Sequence, residues 1–182
     1  RYASIHAFHG WIKAMRNCPK PVIGAVEGNA AGAGFSIAMA CDLVVASEAA
    51  KFTLAYIKIG LTPDGGSTSF LGRNFPRQLA AEMLMNGTAV GAERLYNLGL
   101  INRLVPADQV RDEALGMAKA IGANGPLGVR ASRAIIHEGL NHGVDGRWEI
   151  SERIGRPVFS SEDAKEGPRA FAEKRKPVWK GR

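Results

Sequence analysis

Pro21-Val-Ile-Gly-Ala-Val-Glu-Gly-Asn-Ala-Ala-Gly-Ala-Gly-Phe-Ser-Ile-Ala-Met-Ala-Cys-Asp-Leu-Val-Val-Ala-Ser47 is the stretch that decides the fold. Its first six residues are apolar and lie between breakers, a pattern that predicts a short buried strand. Glu27 to Gly34 is a loop of small residues. Phe35 to Cys41 predicts a buried helix, and Asp42 to Ser47 a second apolar strand, with Lys51 to Leu54 as a candidate third. Strand, glycine-rich loop, helix and strand make a βαβ unit whose sheet is covered on both faces.

Upstream, Ile5, Phe8, Ile12 and Met15 recur at helical spacing, so a helix runs to about Asn17 and stops before Pro19 and Pro21. The chain opens at Arg1, without Met, inside that pattern; the expectation is a processed chain, or one whose N-terminal part lies outside this sequence. Downstream, residues 60–73 read as a loop carrying Gly60, Pro63, Asp64, Gly65, Gly66 and Gly72. A helix follows from Pro76 to Met85, then a short one from Ala92 to Leu98 and a strand from Ile101 to Val105. Helical segments at 108–122, 126–138, 144–155 and 162–173 complete the chain, with Ser161 as N-cap of the last. The expected organisation is an α/β core over residues 1–105 and a helical part over 106–182.

At 182 residues with 46% apolar side chains, the chain is long enough to bury a core without staples. Cys18 and Cys41 are expected as two buried, reduced thiols rather than a disulfide framework. No apolar run approaches a membrane span and no basic-then-apolar leader opens the chain, so the expected location is cytoplasmic, away from membranes. His6, His9, His137 and His142 fall in helical stretches, and with the two cysteines they show no ligand spacing, so no metal is expected. The net charge of +7 is unevenly spread: residues 165–182 hold seven basic and two acidic groups. The rest of the chain is nearly neutral, which argues against a nucleic-acid surface and for a local anion site, a solvated tail or a partner contact.

Three segments could carry chemistry. Gly28, Gly32 and Gly34 lie ahead of a helix, where unpaired N–H groups and the helix dipole favour a phosphate or a forming oxyanion. Their spacing is not that of a dinucleotide site, and close helix–strand packing explains them equally. Asp64, between Pro63 and Gly65-Gly66, projects from a turn; it is either a turn residue or a positioned acid/base. The basic tail ending in Pro177-Val-Trp179 is either a solvated terminus or a clamp for phosphate and a base.

In this order the segments resemble the enoyl-CoA hydratase/isomerase (crotonase) family. The resemblance rests on Lys20–Gly28, on Ala30–Ala38 with Cys41-Asp42, on Ala50-Lys-Phe52 with Ile59–Gly66, and on the closing Ser161–Pro177 pattern. It implies a ββα spiral core, a helical trimerisation region, a homotrimer or dimer of trimers, and an acyl-CoA thioester as ligand. No separate cofactor is implied, because coenzyme A is part of the substrate. The family's second oxyanion donor falls on Ala33, where Gly is usual; the first belongs to an N-terminal block that this sequence lacks. Gly32, Gly34, Ser36, Tyr56, Gly65 and Gly66 fall among the substrate-binding positions. Phe171, Lys174 and Arg175 fall where relatives contact the CoA adenine and phosphates.

The departures narrow the implied chemistry. The two glutamates of the family's hydratases fall on Ser36 and on or near Tyr56, neither of which is a carboxylate. Asp64 matches the acid/base aspartate of several isomerases, and the Gly60–Gly66 block is most like isomerases of phenylacetate-type degradation. One carboxylate suffices to move a proton between two carbons of an enolate, so isomerase is preferred over hydratase. A non-catalytic acyl-CoA-binding protein and an RNA-binding tail remain alternatives. Ser36 lacks the following Gly of a nucleophile elbow, which weighs against a peptidase. Tyr56 is open between hydrogen bonding to substrate and packing beside the loop.

Overall fold

The computed structural model describes residues 2–182. In chain order the elements are α1 (Tyr2–Asn17), β1 (Ile23–Val26), β2 (Ala30–Ala31), α2 (Ala33–Ala40), β3 (Leu43–Ser47) and β4 (Lys51–Thr53). A 3-10 turn (Ala55–Ile59) leads to α3 (Ser67–Asn74), α4 (Arg77–Asn86), β5 (Val90–Gly91), α5 (Ala92–Asn97) and β6 (Arg103–Val105). A second 3-10 turn (Ala107–Gln109) precedes α6 (Val110–Gly122), α7 (Pro126–Gly139), α8 (Val144–Phe159) and α9 (Glu162–Ala172). The chain divides into two compact units, one holding the residues up to Cys18 and Val22–Met117, the other Pro19–Pro21 and Ala118–Arg182.

In the first unit the expected βαβ pairing is present. β1 and β3 run parallel with Ile23 opposite Leu43 and Val26 opposite Ala46. Asp42 closes the start of the pair: its Oδ2 accepts the Val22 N–H at 2.7 Å. β6 pairs on the other edge of β3. It begins at Arg103 rather than Ile101, and Asn102 just before it is bonded to β3 twice: its side-chain Oδ1 accepts the Val44 N–H and its own N–H donates to Val44 O, both at 2.8 Å. β4 lies in a second sheet, parallel to β2 and antiparallel to β5. Strands of two residues carry no alternation, so β2 and β5 have no sequence signature.

The main core joins Phe35, Phe52, Leu54, Leu71, Met83 and Leu95. α2 is buried there because its residues are small or apolar almost throughout. α1 covers the outer face of α2 with Ile12, Phe8 and Met15, the stripe read from its spacing, against Ala40 and Phe70. The structure departs from the sequence pattern at three further places. The loop read over 60–73 ends at Gly66, and Ser67–Asn74 is helix α3, folded by burying Phe70 and Leu71 despite Gly72. α8 runs on through Pro157 to Phe159, since a proline near the last turn forfeits one helical hydrogen bond. His142 lies in the turn between α7 and α8, not in a helix.

Cys18 and Cys41, expected as buried thiols, are each half-buried, and no disulfide joins them. Burial, followed by the neighbouring Asp42 carboxylate, pushes the Cys41 thiol up to about 11, so it is no thiolate near neutral pH. No helix among the described residues is long and apolar enough to cross a membrane.

Candidate active site

Asp64 sits at the end of a loop held by its own backbone. Its carbonyl accepts three hydrogen bonds: from the Ser67 hydroxyl at 2.8 Å, the Ser36 hydroxyl at 3.1 Å and the Ser67 N–H at 3.2 Å. Both serines are fully buried. Ser36 belongs to α2 and Ser67 to α3, so two helices grip one peptide group. The side chain is held separately, by the Tyr56 hydroxyl, which donates to Asp64 Oδ1 at 2.7 Å.

The glycines beside Asp64 make this approach possible. Gly65 has φ +61°, and a Cβ there would overlap the Phe8 ring and stand 2.9 Å from Ser36 Cβ. Gly66 caps α3 in the left-handed conformation, with φ 78°. The loop can therefore press onto α1 and α2 only with glycine at 65.

Tyr56 also meets the turn that opens α2. Gly32 is the N-cap, at φ 53° and ψ −113°. Its N–H is fixed to Thr53 O at 3.0 Å, and its carbonyl takes the first helical bond from Ser36 N–H at 3.2 Å. Ala33 follows as the first, exposed residue of the helix. N–H groups in this first turn have no carbonyl of their own helix to bond, and the dipole adds positive potential there. A thioester oxygen gaining charge suits such a position.

Of the residues expected in one site, Gly32, Ser36, Tyr56, Asp64, Gly65 and Gly66 are thus joined by direct contacts or chain adjacency, with Ala33 and Gly34 in the first turn of α2. Ser36 is not available to a ligand: its hydroxyl is buried and committed to Asp64. Ser67 and Phe8 were not anticipated. The Asp-Gly-Gly-Ser spacing is the one signal that could have revealed Ser67, since a hydroxyl three residues on can close a turn. A groove of about 470 Å³ runs along β1, lined by Ile23, Ala25, Glu27, Gly34, Ile37 and Cys41. It reaches the start of α2 at Gly34.

The tail residues lie in the second unit. Phe171 is 86% exposed. Lys174 has a left-handed backbone, with φ 52°. Arg175 spans two carboxylates: Nη1 and Nη2 reach Glu166 at 2.5 and 3.0 Å, and Nε reaches Glu173 at 2.6 Å. These carboxylates push the guanidinium up, and it in turn pulls Glu166 down to about 2. Lys180 and Arg182 both pair with Glu162. Ser161 caps α9 as expected, its Oγ accepting the Ala164 N–H at 3.0 Å. Asp163 accepts two backbone N–H groups, Lys180 at 2.7 Å and Gly181 at 3.0 Å. Trp179 Nε1 donates to Ala123 O at 2.8 Å. Much of the tail's charge is therefore spent within the chain. Among the described residues no group of His, Cys, Asp and Glu is arranged to hold a metal ion.

Residues 4–182 match the family model described as enoyl-CoA hydratase/isomerase. The chain belongs to the enoyl-CoA hydratase/isomerase family. It is 44% identical over 167 residues to an enoyl-CoA hydratase of Mycobacterium tuberculosis, covering 92% of this chain and 63% of that protein. It is 39% identical over 170 residues to the carnitinyl-CoA dehydratase of Escherichia coli, covering 91% of this chain and 65% of that one. The chain thus spans slightly less than two thirds of these curated relatives. Among solved structures, an enoyl-CoA hydratase from a Polaromonas species superposes with a TM-score of 0.93 at 40% identity, over 97% of this chain and 68% of the other. One from Bacillus anthracis gives 0.96 at 28% identity, over all of this chain and 70% of the other. The fold is crotonase-like, as the resemblance implied.

Proposed function

We propose that this chain carries the catalytic carboxylate of an acyl-CoA-processing enzyme. The Ala33 N–H helps to hold the thioester oxygen as charge develops on it, and Asp64 takes and returns a proton beside it. The observation that carries this reading is the grip on Asp64, whose backbone and side chain are fixed by separate donors. A carboxylate fixed in this way loses little freedom on meeting a substrate, which is the condition for efficient proton transfer. The absence of a carboxylate at Ser36 and Tyr56 supports moving a double bond over adding water. Gly32, Gly34, Gly65 and Gly66 would let the acyl thioester approach the backbone closely.

Residues 106–182 act as the helical assembly region, giving a homotrimer or dimer of trimers. The exposed Val144, Trp148 and Phe159 of α8 support a role in contact. Phe171, Lys174 and Arg175 would meet coenzyme A, with Arg175 sharing its charge with Glu166 and Glu173.

A hydratase is the second reading, favoured by the names of the relatives, which include an enoyl-CoA hydratase and a carnitinyl-CoA dehydratase. Incubating the protein with 3-enoyl-CoA and 2-enoyl-CoA thioesters separately, with NMR of the products, distinguishes the two. Double-bond migration without 3-hydroxyacyl product is expected. Water addition as the faster reaction would overturn the preference for isomerase, and CoA thioester binding with neither product would make the chain a binding protein.

A further inference from the structure

The Tyr56 side chain touches both halves of this site. It stands on the 3-10 turn between β4 and the Asp64 loop. Its hydroxyl donates to Asp64 Oδ1 at 2.7 Å. The same hydroxyl would lie 3.4 Å, and its Cζ 3.5 Å, from a Cβ placed on Gly32, so the ring is seated against the turn before Ala33. A phenol has one O–H to donate. Given to Asp64, that O–H is not offered to a ligand. Burial first, then the Asp64 hydrogen bond, raises the phenol above its ordinary range, so it stays a donor at physiological pH.

A carboxylate has two oxygens and can turn about its bond to Cβ. With Oδ1 tied to a ring that is itself wedged between two chain segments, the plane is set and Oδ2 is the oxygen left for the proton. We infer that Tyr56 is a positioning residue: it holds Asp64 by Oδ1, presents Oδ2 as the proton-carrying oxygen, and keeps that oxygen at a fixed spacing from the Gly32–Ala33 turn. This rests on the reading of Asp64 as the proton carrier.

The test is a set of variants assayed with the thioester that the protein turns over. Tyr56→Phe keeps the ring and removes the O–H. Its kcat should fall about 10- to 100-fold, the size of effect that misplacing a reacting group produces, with KM within about twofold of wild type. In the Asp64→Asn background the same change should cost nothing further, because the group it positions has gone. Installing 4-aminophenylalanine at position 56 returns a donor to the ring and should restore most of the lost kcat; it also serves if the Phe variant folds poorly. A Tyr56→Phe enzyme with unchanged kcat, a change confined to KM, or losses that multiply in the double variant would each overturn the inference. The underlying reading fails by a different result, an Asp64→Asn enzyme that keeps its kcat, and the inference falls with it.

Discussion

Asp64 and Glu166 are both carboxylates gripped by several groups, and the two grips differ in kind. Around Asp64 the donors are neutral: one phenol on the carboxylate, two hydroxyls and an N–H on the backbone. Around Glu166 the main partner is a cation, the Arg175 guanidinium, with the Val178 N–H at 2.9 Å beside it. Neutral donors fix the position of a carboxylate while leaving its charge available. A bidentate guanidinium fixes position and offsets the charge, which is why Glu166 is held down to about 2 and is no use as a base that must be reprotonated near neutrality. On the proposed reading, the same residue chemistry serves proton transfer in one unit and fastens a tail in the other.

The contrast can be broken most forcefully at Asp64. Asp64→Asn keeps the shape and the Tyr56 partner but removes the charge, and should lower kcat by about 10²- to 10⁴-fold, the usual worth of a general acid–base group. CoA thioester affinity, followed by calorimetry, should stay within a few-fold. A comparable kinetic loss in a Glu166 variant would erase the distinction between the two grips.

In the second unit the expected effects are on stability. Asp163 is buried and satisfies two backbone N–H groups of the tail. Asp163→Ala should cost about 2 kcal/mol, because both donors lose their partner. That corresponds to a Tm lower by roughly 4–8 °C for a chain of this size, with kcat retained in the folded fraction.

Acid should release the Glu166 fastening. The folded pKa of Glu166 is depressed from 4.5 to about 2. Its contribution is therefore complete above pH 4.5 and is lost as pH falls through about 2. Hydrogen-exchange protection of the Val178 amide should fall over that window, and Glu166→Gln should weaken it at pH values above the window. The smallest effect belongs to the exposed Arg156–Glu152 pair on α8, at 2.7 Å. Arg156→Ala should change stability by less than about 0.5 kcal/mol, as measured by denaturant unfolding.

What the sequence reveals and hides follows from how each element is built. β1, α2 and β3 were legible because each is a contiguous apolar segment bounded by breakers. Ser161 was legible because capping is local, its partner lying three residues on. α3 was hidden by Gly65, Gly66 and Gly72, and folds because Phe70 and Leu71 find buried places that no window of sequence displays. Asp64 was legible as a carboxylate on a turn, and its match to an acid/base position came from the resemblance. Its grip was not: Ser36 lies 28 residues before it and Tyr56 eight before it. The pairing within the tail was hidden in the same way. Seven basic groups in a short stretch leave an anion site, a solvated tail or a partner contact open, and no window of sequence shows that Arg175, Lys180 and Arg182 meet carboxylates of α9.

Deuterium uptake tests the central claim most directly, since it reports proton transfer whichever product is formed. A bound acyl-CoA thioester incubated in D₂O with the wild-type protein should gain deuterium at the carbon beside the carbonyl. With Asp64→Asn the uptake should drop to the rate without protein, while the thioester still binds. Uptake by Asp64→Asn at the wild-type rate would contradict the assignment of Asp64 as the group that carries the proton.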